Sequence, residues 1–268
     1  MPVSDHRVGR TVYERRLPLP ETNHRHGRTD RSAGIIRDPV IMTYIRTFLP
    51  CIIWITSALL PPANLYAQSL DARLKAAGYI DVCEEAPDIR VQLKYATSDN
   101  FMGRSVYQGM TKAWLHPDAA QKLHRAQRIL QREKPGYALL VYDAARPMSV
   151  QRIMWNLVRG TNQTYYVSNP AKGGGLHNYG MAVDLTLVDA SGKPLPMGTP
   201  YDFFGAEAHT DKEEALVQTG KITRRELANR RLLRRVMKEA GFRTIKSEWW
   251  HFNACSRETA RARYRPIE

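Results

Sequence analysis

The sequence is short of cysteine and of long apolar runs. It has three cysteines in 268 residues, and none of them has the paired spacing of a cysteine-based zinc site. The most apolar stretch, residues 47–60, is shorter than the ~20 residues that a membrane-spanning helix needs. The sequence therefore argues against a structural metal site built from cysteines and against an apolar segment long enough to span a membrane.

Two of the cysteines, Cys83 and Cys255, lie in the part of the chain that has globular composition. They form an even pair, and an oxidising compartment would allow one disulfide between them. Two buried free thiols are an equally acceptable arrangement, because their separation in sequence does not decide whether they meet. The sequence leaves both possibilities open.

Acidic residues are scarce relative to basic ones. The chain has 40 Lys and Arg against 26 Asp and Glu, a net charge of +14. From Gln68 onward there are 31 Lys and Arg against 21 Asp and Glu, a net charge of +10. Part of this charge lies on a predicted helix, where Arg230, Arg231, Arg234 and Arg235 would mostly face solvent. Such a cluster could bind nucleic acid, but no recognition motif or aromatic platform accompanies it. We therefore expect no nucleic-acid partner, with anionic cell-wall polymers as a weaker alternative.

The first 67 residues differ in composition from the rest. Residues 1–41 are rich in Arg, His and Pro, and are predicted to be either disordered or upstream of the true start at Met42. Residues 42–67 combine a basic start, a short apolar core and a small residue before Gln68, which is typical of a cleaved signal peptide. An uncleaved anchor is the alternative. We predict an exported, periplasmic protein with no stable membrane span after cleavage.

From Gln68 on, the pattern predicts one compact α+β domain, residues 68–256, followed by a basic and frayed tail, residues 257–268. Apolar residues at helical spacing predict helices that bury one face. Alternating or continuous apolar runs predict the strands of a central, mainly antiparallel sheet flanked by those helices. The predicted helices are 69–77, one beginning at Pro117, 149–158 and 224–240. The predicted strands are 89–95, 137–142, 181–187 and 248–252.

The candidate metal ligands lie in two stretches, 175–184 and 248–251. His177, Asp184 and His251 would supply two nitrogens and one oxygen, which suits a divalent ion of zinc type with one position left open. Three protein ligands and a vacant position are the pattern of a catalytic rather than a structural site. On spacing alone, ordinary hydrogen-bonded polar groups are an equally good interpretation.

Two further residues are candidates for proton transfer and charge stabilisation. Glu248 is left over as a base if the other three residues hold a metal. Regular alternation would point Glu248 and His251 to opposite faces of a strand, so we expect Glu248 at the start of the strand or at a bulge. Arg146 follows a buried strand, and its fork of donors suits a carboxylate or an oxyanion. A surface salt bridge between Arg146 and Asp143 is the alternative.

The order of these motifs resembles the D-alanyl-D-alanine dipeptidase family, the M15-type zinc peptidases of vancomycin resistance and peptidoglycan recycling. The resemblance rests on Gly-x-His-x-x-Gly-x-x-x-Asp at 175–184, Asp-Ala-Ala-Arg-Pro at 143–147 and Glu-Trp-Trp-His at 248–251. It extends over roughly residues 78–254. Three separated motifs in the same order are more specific than any one of them.

This resemblance implies one zinc ion per chain, held by His177, Asp184 and His251. It further implies that Glu248 is the general base and that Arg146 stabilises the transition state of hydrolysis. The substrate would be a small D,D-dipeptide, with D-Ala-D-Ala as the expected one.

The chain departs from the family at Gly175, where the family more often has a serine that contributes to the polar environment of the substrate. His209 lies outside the matching positions and is not expected to be a ligand. One alternative function is a zinc carboxypeptidase acting on larger peptidoglycan peptides. A second is a non-catalytic wall-binding module, which the presence of both Glu248 and Arg146 disfavours.

Overall fold

The computed structural model describes residues 69–268, and within them the α+β prediction is confirmed. The predictions for residues 1–41 and 42–67 lie outside this part of the chain. The helices are α1 (Leu70–Ala76), α2 (Val82–Glu85), α3 (Pro117–Glu133), α4 (Met148–Val158), α5 (Glu213–Gln218), α6 (Arg224–Glu239) and α7 (Arg257–Arg263). The strands are β1 (Ile80–Asp81), β2 (Arg90–Val91), β3 (Trp114–Leu115), β4 (Ala138–Asp143), β5 (Ala182–Val188), β6 (Arg243–Thr244) and β7 (His251–Asn253). None of the helices within residues 69–268 has the length and apolar character needed to cross a membrane.

A five-stranded sheet in the order β2-β4-β5-β7-β6 forms the centre of the domain. β2 is parallel to β4, and the other neighbouring strands are antiparallel, in agreement with the predicted mainly antiparallel sheet. β1 and β3 form a separate antiparallel pair. β4 and β5 are buried along their whole length, which accounts for their continuous apolar sequences.

The two long helices α3 and α6 pack against each other and against the central strands. α3 begins with Pro117 at its first position, where the missing N–H costs nothing. α6 begins with a capping box: the Thr223 hydroxyl accepts from the Glu226 N–H at 3.2 Å, and the Glu226 carboxylate accepts from the Thr223 N–H at 2.6 Å. Both helices therefore have defined starting points and bury one apolar face on the sheet.

The register of the sheet places three polar residues side by side at one end of the central strands. Asp143 at the end of β4 lies opposite Asp184 of β5, after a register shift between Val141 and Asp143. Asp184 in turn lies opposite His251 at the start of β7. Strand pairing alone thus brings together side chains that are 41 and 67 residues apart in sequence.

Two predicted strands are shorter in the structure. The strand expected over 89–95 is limited to β2 and is followed by a 3-10 turn, Lys94–Ala96. The strand expected over 248–252 begins only at His251, and Glu248 lies three residues before it in an irregular segment. The expectation that Glu248 lies at the strand start or at a bulge is therefore wrong.

Two expectations about polar segments also differ from the structure. The tail is not frayed: α7 is followed by an extended segment that ends with Ile267 buried in the core. Arg230 does not face solvent, since it is 1% exposed and donates to the carbonyl oxygens of Met197 at 2.6 Å and Glu207 at 2.9 Å. Cys83 and Cys255 are both partly buried free thiols, so the structure contains no disulfide between them.

Candidate metal centre

His177, Asp184 and His251 converge on one point at the end of the sheet. Asp184 and His251 come from paired strands, and His177 lies on a 3-10 turn, Leu176–Tyr179, that leads into β5. His177 Nε2 is 3.1 Å from Asp184 Oδ1 and 3.2 Å from His251 Nδ1, and His251 Nδ1 is 2.9 Å from Asp184 Oδ1. The structure therefore brings the three predicted ligands together as a compact triangle of atoms.

Hydrogen bonds on the far side of each side chain fix which atom faces the triangle. His177 Nδ1–H donates to the Ala144 carbonyl oxygen at 2.7 Å, and His251 Nε2–H donates to Asn253 Oδ1 at 2.8 Å. The second carboxylate oxygen of Asp184 accepts from the Tyr201 hydroxyl at 2.9 Å. Each residue is left with one unprotonated atom pointing inward, which is the arrangement of metal ligands supported by outer hydrogen bonds.

The donor set fits a cation. Two imidazole lone pairs and one carboxylate oxygen repel one another at distances near 3 Å unless a positive charge lies between them. Ligands at the usual 2.0–2.1 Å from a tetrahedral zinc would lie ~3.3 Å apart, close to the observed edges. Two nitrogens and one oxygen, with no thiolate, match the ligands of a catalytic zinc site.

The charge state of the group reflects the same geometry. Burial opposes ionisation of Asp184, but the adjacent His177 and His251 outweigh it and hold the pKa of this carboxyl well below its ordinary value. Burial also disfavours the charged form of His177, and Asp184 outweighs it and raises the pKa of the imidazole. The carboxylate thus stays ionised, and a proton on the imidazole competes with a metal for the same place.

Arg146 lies beside the group formed by His177, Asp184 and His251, which is called the metal group below. Several partners hold its side chain in place. Its Nε and Nη2 donate to Asp143 Oδ2 at 3.1 and 2.5 Å, and its Nη1 donates to Gln151 Oε1 at 3.0 Å. Its guanidinium lies over the Tyr95 ring, 5.1 Å from the centroid. The predicted pairing with Asp143 is present, but it is buried, and Arg146 also lines the cleft 4.0 Å from Asp184 Oδ2. A fixed guanidinium at this point can stabilise negative charge.

Glu248 lies on the other side of the group, with Oε2 3.9 Å from His251 Nδ1. Glu248 is not a member of the His177–Asp184–His251 group that could hold a metal. Burial, with a further contribution from Asp184 and Asp202, raises the pKa of Glu248 to about 8. A divalent cation in the neighbouring group would favour the carboxylate again. Glu248 is thus suited to accept and return a proton.

A cleft of about 190 Å³ opens onto these residues. This volume is below the roughly 300–1,000 Å³ of sites for drug-sized ligands, so the cleft fits a small molecule. One wall is aromatic: Tyr166 stacks on Phe204 with ring centroids 4.7 Å apart, and Phe204 contacts Phe101 at 4.9 Å. His209 contacts Tyr166 of this wall, with Nε2 3.3 Å from the Tyr166 hydroxyl, and is not part of the His177–Asp184–His251 group.

Several residues of the site were not found from the sequence. Asn253 and Tyr201 orient the ligands, Gln151 holds Arg146, and Asp202 lines the cleft while accepting from the Tyr95 hydroxyl at 3.0 Å. Asn253 is two residues from a predicted ligand, and the same face of a strand carries both, so a strand pattern could have indicated it. The other contacts cross long stretches of sequence and left no local signal.

The order of the motifs and the geometry of the site agree with the comparison to known families. A model of the D-ala-D-ala dipeptidase family of M15 peptidases matches residues 75–265. The chain belongs to this family. It is 35% identical over 173 residues to the D-alanyl-D-alanine dipeptidase of Escherichia coli, which covers 65% of the chain and 82% of that protein. It is also 30% identical over 195 residues to the D-alanyl-D-alanine dipeptidase of Enterococcus faecium, which covers 65% of the chain and 90% of that protein.

The family match extends beyond the end of the predicted 68–256 domain and includes all of α7. It also includes all five predicted site residues, Arg146, His177, Asp184, Glu248 and His251. Membership identifies this protein as a peptidase, and His177, Asp184 and His251 form a group that could hold a metal ion.

Proposed function

We propose that this protein is a zinc-dependent dipeptidase that hydrolyses D-Ala-D-Ala or a close D,D-dipeptide. The observation that carries the proposal is the triangle of His177 Nε2, Asp184 Oδ1 and His251 Nδ1 at the base of a small cleft, flanked by Arg146 and Glu248. The names of the relatives in Escherichia coli and Enterococcus faecium supply the substrate class. The size of the cleft supports a dipeptide rather than a long peptide.

The charges that line the cleft suit a zwitterionic dipeptide. The acidic side chains are Asp184, Asp202 and Glu248, and the arginines are Arg146, which is engaged by Asp143, and Arg257 at the exposed rim. A free ammonium group would be attracted to the carboxylates and a free carboxylate to the guanidinium groups. A peptide with both termini free therefore matches the cleft better than an internal peptide segment does.

The residues of the site have three roles in hydrolysis: metal binding, proton transfer and stabilisation of negative charge. His177, Asp184 and His251 would hold the zinc, and zinc in such a site lowers the pKa of water and polarises a carbonyl group. The Glu248 carboxylate takes the proton of the attacking water and passes it to the departing amine. Arg146 stabilises the negative charge that develops on the carbonyl oxygen, because Asp143, Gln151 and Tyr95 hold it in place beforehand.

Activity assays with matched variants test the function. We expect the purified protein to cleave D-Ala-D-Ala but not L-Ala-L-Ala, to lose activity to a chelator and to regain it with zinc. Glu248→Ala should retain the metal and lose kcat by ~10²–10⁴-fold, the usual contribution of a general base. His177→Ala or His251→Ala should instead lose stoichiometric zinc. Cleavage of a D-Ala-D-Ala-ended pentapeptide in preference to the dipeptide would replace this function with that of a carboxypeptidase.

We propose further that the protein is exported and acts on products of peptidoglycan turnover. The support is the composition of residues 42–67, which has the basic, apolar and small-residue regions of a signal peptide. The mature N-terminus is then Gln68 or a residue within a few positions of it. Mass spectrometry of the native protein tests this, since an intact Met1 start would contradict export by this signal.

A further inference from the structure

We propose that Ser168 is a substrate-positioning residue of the cleft, and that its side chain lies where it restricts a side chain at position 175. This inference rests on the proposed dipeptidase function and adds to it a specific hydrogen-bonding group. Both residues line the cleft beside the metal group.

The backbone at Gly175 does not require glycine. Its φ of −106° and ψ of −179° are extended values that any residue adopts. Its N–H donates to Asn178 Oδ1 at 2.9 Å, which a larger residue could do equally well. A side chain at position 175 is therefore restricted by the surrounding space and not by backbone conformation.

That space is filled by Ser168. A Cβ atom added to Gly175 would lie 3.0 Å from Ser168 Oγ and 3.3 Å from Ser168 Cβ. Both distances are shorter than ordinary van der Waals contacts, so a side chain at 175 would require Ser168 to move by a few tenths of an ångström. The hydroxyl beside Gly175 is that of Ser168.

The Ser168 backbone is held by Gln151, a residue that also binds Arg146. Its carbonyl oxygen accepts from Gln151 Nε2 at 2.8 Å, and the other end of the same amide accepts from Arg146 Nη1 at 3.0 Å. Arg146 in turn approaches Asp184 Oδ2 at 4.0 Å. One buried amide, Gln151, thus connects Ser168 to the residues that carry the chemistry.

The Ser168 hydroxyl is available to a ligand. Within residues 69–268 it makes no side-chain hydrogen bond to the protein, although one hydroxyl offers one donor and two acceptor positions. It faces a cleft of about 190 Å³, where any bound dipeptide must bring its polar main-chain groups close to the walls. The geometry points to a hydrogen bond between the Ser168 hydroxyl and a main-chain polar group of the peptide.

The experiment exchanges the two side chains and compares kcat/KM for D-Ala-D-Ala. Ser168→Ala should lower kcat/KM by about 2- to 12-fold, the loss expected for one hydrogen bond worth ~0.5–1.5 kcal/mol. Gly175→Ser alone should also lower it, because the new side chain displaces Ser168. The double variant Ser168→Ala/Gly175→Ser should recover part of the activity, since it removes the closer of the two contacts, the one with Oγ, and returns a hydroxyl to the same region of the wall. Ser191→Ala, an exposed serine outside the cleft, is the matched control and should be unchanged.

Zinc content and thermal unfolding of each variant separate a lost contact from a damaged fold. N-acetyl-D-Ala-D-Ala and D-Ala-D-Ala amide show which end of the peptide is bound, because the effect of Ser168→Ala should disappear with the substrate that lacks the contacted group. A wild-type kcat/KM for Ser168→Ala, or a double variant as impaired as the single ones, would overturn the role of the hydroxyl. A wild-type protein that cleaves no dipeptide would overturn the proposed function itself.

Discussion

At the scale of single residues, the two histidines present different ring nitrogens to the metal group. His177 uses Nε2 because its Nδ1–H donates to the Ala144 carbonyl, and His251 uses Nδ1 because its Nε2–H donates to Asn253. The Ala144 acceptor belongs to the backbone and cannot be removed by substitution. The Asn253 acceptor is a side chain, and it is therefore the point at which the orientation of a ligand can be tested.

Asn253→Ala should weaken zinc binding by ~10–100-fold, the usual effect of removing an outer partner of a metal ligand. Asn253→Asp keeps an oxygen that accepts from His251 Nε2–H and should retain the affinity. Competition with a chromophoric chelator measures both constants on otherwise identical proteins. Equal affinities for the alanine variant and the parent protein would show that Asn253 does not hold the His251 ring.

Asp202 provides a test of the electrostatics of the cleft. Burial, together with the nearby Asp184, raises its pKa to about 8, compared with ~3.9 in an unfolded chain. Between these values the folded state holds a proton that the unfolded state has released, so the free energy of unfolding falls as the pH rises. Asp202 has a φ of 60°, a conformation that asparagine also tolerates. Asp202→Asn therefore removes the titration without changing the backbone requirement.

In the metal-free protein, the stability of Asp202→Asn relative to the parent should increase from about pH 5 to pH 8. Urea unfolding at three pH values measures this difference directly. A stability difference that is the same at every pH would mean that Asp202 is not protonated in the folded state.

At the scale of elements, the segment after α7 supports the loop that carries His177. The Ile267 N–H donates to the Asn178 carbonyl at 2.7 Å, and the Ile267 carbonyl accepts from the Met148 N–H at the same distance. The Ile267 side chain is 7% exposed within the main core. One residue thus joins the ligand turn to the first residue of α4.

Ile267→Ala should lower the free energy of unfolding by about 2–5 kcal/mol, as for other large-to-small changes in a core. Arg265→Ala, two residues away and exposed, is the control and should change it by less than about 0.5 kcal/mol. Denaturant unfolding of the two variants gives the comparison. Similar values for both would show that this segment does not stabilise the domain.

The elements that could be predicted from the sequence are those whose signals are local. α3 and α6 have apolar faces and defined caps, and β4 and β5 have continuous apolar runs, so their existence and approximate bounds followed from periodicity. The strand at Glu248 was overextended because Trp249 and Trp250 favour strands. In the structure these two rings are buried outside the sheet, with Trp249 Nε1 donating to the Thr199 hydroxyl at 2.8 Å.

The errors at Arg230 and in the tail have a common cause. Arg230 is buried because two backbone carbonyls from residues 197 and 207 accept its hydrogen bonds, and Ile267 is ordered because Asn178 and Met148 bind its backbone. Such partners are distant in sequence, and a periodic pattern of apolar residues does not predict them. The five predicted site residues, in contrast, belong to motifs whose residues are close together in sequence, and the pairing of β4, β5 and β7 brings these motifs into contact.

At the scale of the whole molecule, the two free cysteines bear on redox behaviour. Cys83 lies on α2, where its thiol donates to the Ile89 carbonyl at 3.5 Å, and Cys255 follows β7. Burial raises the pKa of both thiols, which makes them slow nucleophiles at neutral pH.

Alkylation under denaturing, non-reducing conditions should therefore modify both Cys83 and Cys255, as read by peptide mass spectrometry. A reducing agent should leave the thermal midpoint of the protein unchanged, because it has no bond between them to break. A disulfide-linked pair of peptides containing these two residues would contradict the free-thiol structure.

The pairing of β5 with β7 has a consequence for folding as well as for the site. A slip of one residue would turn His251 to the opposite face of the sheet and leave Asp184 beside a different side chain. A mispaired chain would then lack a complete ligand triangle even with its helices intact. Because a ligand stabilises only the state that binds it, a metal bound by these three residues would favour correctly aligned chains over slipped ones. Such an ion would select the correct register of β5 and β7. A chain that folds where metal is scarce would lose this preference for the correct register over the slipped one.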